Sequence, residues 1–240
     1  MNAKQTAIQI KQLEFSWKEN SPLTLNIKNL DIQNGERVFI KGASGSGKST
    51  LLSLLGGVLL PQKGNIEILG QQINNLNGTA RDIFRSNHIG FIFQMFNLLP
   101  YLSVIENVTL PLHFSDQRKH RVLKNNSIKK EALRLLSHLD LTDKNILSRS
   151  THELSVGQQQ RVAAARALIG SPEIVIADEP TSSLDTDRRD AFIDLLVNEC
   201  NENKSTLIFV SHDQTLEHHF DRSISLNNIN QASLVEQNKV

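Results

Sequence analysis

Cysteine is nearly absent: Cys200 is the only one in 240 residues. No disulfide framework and no cysteine-based metal site can be built from it, which fits a reducing cytoplasm. An excess of one charge is also lacking. The formal net charge is +1, so bulk electrostatics give no sign of a nucleic-acid partner, and none is expected. Long apolar runs are missing too. The richest, Leu51 to Leu60, is interrupted by Ser53, Gly56 and Gly57, whereas a membrane-spanning helix needs about 20 apolar residues. The first ten residues lack the apolar stretch of a signal peptide. If the chain serves a membrane, another chain must supply the spans. There is no internal repeat and no low-complexity tract.

What is present suits a folded globular protein, with 39% hydrophobic and 21% charged residues. Residues 7–15 and 23–30 alternate as half-buried strands do, and 36–41 form a short strand entering a Gly-rich turn. Residues 48 to about 60 read as a helix stopped by Pro61. Strands are expected at 65–69 and 88–93. From about 94 to 170 the pattern turns helical, with Ile128, Ala132, Leu135, Leu136 and Leu139 at helical spacing. Ser115 to Asn126 reads as a loop or a frayed helix end. Strands return at 173–177 and 206–210 around a helix near 186–202. This alternation predicts an α/β fold with a mostly parallel sheet. A core of about 1–93 and 171–226 would carry a helical insertion, followed by a loose polar tail at 227–240.

Residues 42–50 carry the clearest chemistry: Gly42, Ala43, Ser44, Gly45, Ser46, Gly47, Lys48, Ser49 and Thr50 contain G-x-x-x-x-G-K-[ST] without a mismatch, between a strand and a helix. The glycines let successive amides point inward as a phosphate nest, and the following helix adds its positive end. Lys48 brings a point charge to the β- and γ-phosphates, and the Ser49 hydroxyl suits Mg²⁺. A solvated Gly/Ser turn is the plain alternative, and the strand–loop–helix setting argues against it. Residues 174–180 form an apolar strand ending in Asp178 and Glu179, where α/β sheets bind ligands. Asp178 can hold Mg²⁺ and Glu179 can orient or deprotonate a lytic water. His212, after the next strand, is either structural or a contact to the γ-phosphate.

The segment LSVGQQQ, residues 154–160, followed by Arg161 and VAAARAL, completes the set. Together with the phosphate loop, Asp178–Glu179–Pro180 and Ser211–His212–Asp213, it resembles the ABC ATPase family over about residues 5–226. The resemblance implies a phosphate-loop NTPase core with an N-terminal antiparallel β subdomain and a helical signature subdomain. It implies ATP and Mg²⁺ as ligands and a homodimer sandwiching two nucleotides. Ser155, Gly157 and Gln158, opening a helix over 158–169, would contact the γ-phosphate bound by the other subunit. Gln94 would touch Mg²⁺ or the lytic water, and Asp185 in the loop 181–185 would link the two sites. His212 would be the switch histidine. Trp17 would stack on adenine, with Phe15 a second candidate and core packing the alternative for Trp17. The departures from the family pattern are Val156 in place of a glycine, Ser183 in place of alanine and Trp17 in place of tyrosine.

Residues 90–112 and 47–57 resemble the lipoprotein-releasing, macrolide-exporting and cell-division branch. That implies an ATPase on the cytoplasmic side of the plasma membrane, bound to an integral membrane permease with few spans and an extracytoplasmic domain. The apolar stretch Met95, Phe96, Leu98, Leu99, Tyr101 and Leu102 is expected to divide between a helical core and a groove for the membrane partner. A regulatory ATPase that moves no substrate is the alternative. A soluble ABC protein of translation or DNA repair is disfavoured by the single compact cassette.

Overall fold

The computed structural model describes residues 5–19, 21–147, 149–182 and 186–232. Two compact units are formed, Met1–Arg85 with Ile208–Val240, and Ser86–Leu207.

The first unit begins with an antiparallel sheet of Thr6–Phe15 (β1), Leu25–Gln33 (β2), Lys63–Ile68 (β4) and Gln71–Gln72 (β5), in the order β2-β1-β4-β5. In β1, Ile8 and Ile10 are buried, and then Leu13 and Phe15. That change from even to odd positions requires one extra residue in the strand. Gln12 supplies it in a left-handed conformation, φ 51°, where the β1–β4 register shifts. Gly64 lies against this bulge, and a Cβ there would sit 2.2 Å from the Gln12 carbonyl oxygen.

Arg37–Lys41 (β3) pairs in parallel with Arg222–Ser225 (β9), Val38 opposite Arg222 and Ile40 opposite Ile224. Val38, Phe39 and Ile40 are all buried, as expected of a strand covered on both faces. Lys48–Leu55 (α1) follows the phosphate loop. It ends five residues before the expected stop at Leu60. Its C-cap is Gly56, followed by Gly57 at φ 65°, so the glycine pair ends the helix before Pro61 is reached. Gly78–His88 (α2), unread in the sequence, runs across the boundary at Arg85.

The second unit contains Ile89–Ile92 (β6), parallel to Ile174–Asp178 (β7), with Ile89 opposite Ile174. Its helices are Val104–Thr109 (α3), Asp116–Asn125 (α4), Ile128–His138 (α5), Val156–Leu168 (α6) and Thr186–Asn203 (α7). Ala132, Leu135, Leu136 and Leu139 are buried as their spacing predicts. Residues 116–125 are a helix rather than the expected loop or frayed end. Ser115 caps it by accepting the Arg118 amide, and its inward positions are Arg118 and Val122, so an arginine stands where an apolar residue would have marked the pattern. Thr206–Ser211 (β8) begins in this unit, where the Thr206 amide donates to Glu173 O at 2.8 Å, and ends in the first.

The described part of the segment read as a loose tail is anchored. Leu226–Ile229 (α8) buries Leu226, Asn230 bridges to Ile27, and the Gln231 amide donates to Asn26 O at 2.7 Å. Apart from Ile229, residues 227–231 are polar in sequence, but Asn230 and Gln231 complete hydrogen bonds to β2 rather than facing only water.

Candidate nucleotide site

In the first unit, the phosphate loop occupies the turn between β3 and α1. Gly47 is the N-cap of α1, with φ 97° and no side-chain cap. Only glycine takes that conformation freely, and a Cβ there would lie 2.8 Å from Leu25 Cδ2. The first-turn amides are therefore left for an anion rather than a capping side chain. Lys48 is buried and folds over the loop, donating to Gly42 O at 2.8 Å and Ala43 O at 3.0 Å. The Ser46 hydroxyl is buried without a hydrogen-bond partner. An orphaned hydroxyl inside a nest of amides fits a phosphate oxygen. Thr50 is buried and Ser49 is exposed.

Trp17 is 63% exposed and meets Phe15 edge-on at 5.4 Å. Phe15 takes the core position, so core packing does not account for Trp17. Its ring is open to solvent on the side away from Phe15. His212 is exposed, directly after β8.

In the second unit, β7 buries Ile174 to Ala177 and delivers the half-buried Asp178 and Glu179 at its end. Glu179 has φ 44°, a left-handed conformation uncommon for a side chain of its size and costing of order 1 kcal/mol or more. The buried Gln160 of α6 holds the following turn by donating to Pro180 O at 3.0 Å. Ser49 and Asp178 are hard-oxygen donors of the type Mg²⁺ prefers.

The signature segment caps α6. Ser155 is the N-cap and forms a capping box: its Oγ accepts the Gln158 amide at 3.3 Å, and Gln158 Oε1 accepts the Ser155 amide at 2.9 Å. The helix starts at Val156, two residues earlier than expected. Val156 is 47% exposed, so its side chain stands clear of the core. A hydroxyl that accepts an amide still has its own proton to donate. Ser155 can therefore cap its helix and meet an anion together. The packing of α6 is tight: a Cβ on Gly90 of β6 would lie 2.2 Å from Ala167 O.

Gln94 is exposed just after β6. Two arginines missed in the sequence organise this region. Arg166 of α6 is buried and donates to the carbonyls of Phe96 and Asn97, both left-handed at φ 59° and 48°. Burial lowers its pKa. Arg118, 2% exposed, donates to Ile169 O at 2.8 Å and Ala167 O at 2.7 Å, closing the C-terminal end of α6. Burial, then the nearby Arg121 charge, lower its pKa to about 10, against an opposing pull from Glu173. Asp185 and Ser183 lie outside the described residues. Elsewhere, His138, Glu199 and Glu202 gather ligand atoms within 4.8 Å, but Arg134 donates to Glu199 at 2.6 Å, so this is an ion-pair network.

A phosphate nest after a buried parallel strand, and an acidic pair ending another such strand, define a phosphate-loop NTPase. The ABC transporter family profile matches residues 25–182. The chain belongs to the ABC transporter family and is an ATP-hydrolysing cassette using ATP and Mg²⁺. It is 38% identical to the lipoprotein-releasing system ATP-binding protein LolD of Psychrobacter arcticus, over 83% of this chain and 85% of that one. It is 37% identical to the macrolide export ATP-binding/permease protein MacB of Haemophilus ducreyi, over 93% of this chain but 31% of that longer one. Among solved structures, it is similar to a cassette of Methanocaldococcus jannaschii, dimeric in a post-hydrolysis state with ADP and Pi. The TM-score is 0.78 at 33% identity, covering 94% of this chain and 95% of that chain.

Proposed function

We propose that this chain is the peripheral ATPase subunit of an export or lipoprotein-release system of the mechanotransmission type. It forms a single ABC ATPase domain over 1–226 with a helical subdomain at about 94–170. It works as a homodimer at the cytoplasmic face of the membrane and drives an integral permease with few spans. Lys48, Ser46 and the loop amides hold the phosphates, and Trp17 stacks on the base. Ser155, Gly157 and Gln158 complete the site of the partner subunit, and Asp185 links the two sites. Glu179 orients or deprotonates water, Gln94 touches Mg²⁺ or that water and senses the membrane partner, and His212 holds the γ-phosphate. Mg²⁺ held by Ser49, Asp178 and Gln94 would offset negative charge on the phosphates. The rest is electrostatic positioning by preset donors.

The observation that carries the membrane reading is the surface beside Gln94. Phe96 is buried, whereas Met95 and Tyr101 are 81% and 77% exposed. Large apolar side chains displayed in the segment that follows Gln94 suit a coupling element of another protein. No described helix is long and apolar enough to cross a membrane.

The test is recovery of tagged Glu179→Gln protein from detergent-solubilised native membranes with ATP. Co-purification of a few-span protein with an extracytoplasmic domain supports the proposal. A many-span permease would move the chain to another transporter branch, and ribosomes or DNA would remove the transport reading.

A further inference from the structure

The phosphate loop does not stand alone in its unit. Gly47 is closed against Leu25 and Thr24: a Cβ there would lie 2.8 Å from Leu25 Cδ2 and 3.4 Å from Thr24 O. At the other end of the loop, a Cβ on Gly42 would lie 3.4 Å from Leu226 Cβ. Both neighbours are tied to the segment after β9. An open cleft of about 420 Å³ lies between Pro22–Thr24, Gly45–Ser46 and this C-terminal segment. Asn230 reaches across it.

All four hydrogen-bonding positions of the Asn230 amide are engaged. Its Oδ1 accepts the amides of Asn26, at 2.8 Å, and Ala232, at 3.1 Å. Its Nδ2 donates to Thr24 O at 3.0 Å and, at a longer 3.5 Å, to Ser46 O in the loop itself. The Thr24 amide in turn donates to Phe15 O at 2.8 Å, and Phe15 is the ring against which Trp17 stands. One side chain thus joins β2, the loop carbonyl before the glycine N-cap, and Thr24, which leads on to Phe15.

We infer that Asn230 is a positioning residue for nucleotide binding, and that residues 226–232 brace the phosphate loop from behind. The two halves of the amide have different tasks. The oxygen fixes the segment to β2. The nitrogen transmits that fixed position to Thr24 and Ser46. A loop whose amides must converge on one phosphate binds more tightly when its backbone is held before the ligand arrives. The inference rests on the phosphate-loop reading of residues 42–49.

The substitutions that separate the halves are Asn230→Ala, which removes both, and Asn230→Asp, which keeps the acceptor and removes the donors. ATP affinity is read from the fluorescence of Trp17, the sole tryptophan of the chain, and from KM in steady-state hydrolysis. Loss of one or two half-buried hydrogen bonds predicts affinity weaker by about three- to tenfold, with kcat within about twofold. Asn230→Asp should stay folded, with the melting temperature of the nucleotide-free protein lowered by only about 2–8 °C, since it loses bonds to Thr24 and Ser46 but keeps those of the oxygen. Its effect should persist at about 0.5 M salt, where the added charge is screened. If Asn230→Ala does not fold, Asn230→Asp carries the test alone. Parental affinity in the folded variants, or an Asn230→Asp defect that vanishes with salt, would overturn the inference. Lys48→Ala is the control. Unchanged ATP affinity in that variant would remove the phosphate-loop reading itself, whereas loss there with normal affinity at Asn230 would remove only the brace.

Discussion

At the scale of single residues, Glu179 carries the sharpest expectation. Glu179→Gln keeps shape and hydrogen bonding but removes the base, so ATP should still bind while turnover falls by about 100-fold or more. Phosphate release measured beside ATP binding checks this, and near-parental turnover would remove Glu179 from its role. Arg118 makes a different prediction. Arg118→Leu would strip the carbonyls of Ala167 and Ile169 of their donors and cost about 2–4 kcal/mol, read by urea unfolding. The contrast shows what the sequence could reveal. Lys48, Asp178 and Glu179 stand in short motifs whose neighbours in sequence are their neighbours in space. Arg118, Arg166 and Asn230 act on residues 49–51, 69–70 and 184–206 positions away. No local pattern records such a partner.

At the scale of elements, the longer strands were legible because alternation and buried apolar runs are local signals, whereas the short polar β5 and β9 carry neither and were not read. Helices were legible where leucines repeat, as in α5. They were missed where polar residues face inward, as Arg118 does in α4. The start of α6 was read two residues late because Val156 and Gly157 are poor helix formers, and only the cap formed by Ser155 and Gln158 sets the boundary. That cap separates two tasks. Ser155→Ala should lower stability by about 1 kcal/mol, whereas Ser155→Gly should cost only a few tenths. Lost turnover in the glycine variant, beside a nearly parental melting curve, would isolate the hydroxyl as an ATP contact.

The packing of α5 on α7 gives a pH dependence. Burial pushes the Glu199 pKa up, but hydrogen bonds and charge from Arg134, with bonds from His138 and Asn203, outweigh it and leave the pKa below its ordinary value of 4.5. A depressed folded value means the stabilisation is complete above the unfolded carboxylate range. It is lost as pH falls through the folded value. Glu199→Gln should therefore flatten the loss of stability below about pH 4.5, as measured by denaturant unfolding across pH.

At the scale of the whole molecule, the proposed dimer makes the nucleotide a shared ligand. Glu179→Gln protein should elute as a dimer with ATP and as a monomer without it. A monomer in both conditions would remove the two-subunit site. The division of the described chain was not legible in detail, because the boundaries at 85/86 and 207/208 fall inside α2 and β8, where no composition shift marks them.

The pairing of β3 with β9 joins residues some 184 positions apart, Val38 to Arg222. In the order of synthesis, the strand feeding the phosphate loop leaves the ribosome some 184 residues ahead of this neighbour. Leu226 and Asn230, which flank the loop and the residues before it, arrive later still. A nascent or truncated chain that stops before Arg222 has every residue of the phosphate motif but lacks the β9 partner of β3 and the brace at Asn230. Such a chain should therefore bind ATP more weakly than one in which the segment 226–232 is present and docked, and the last stage of synthesis tightens a site whose chemistry was assembled long before.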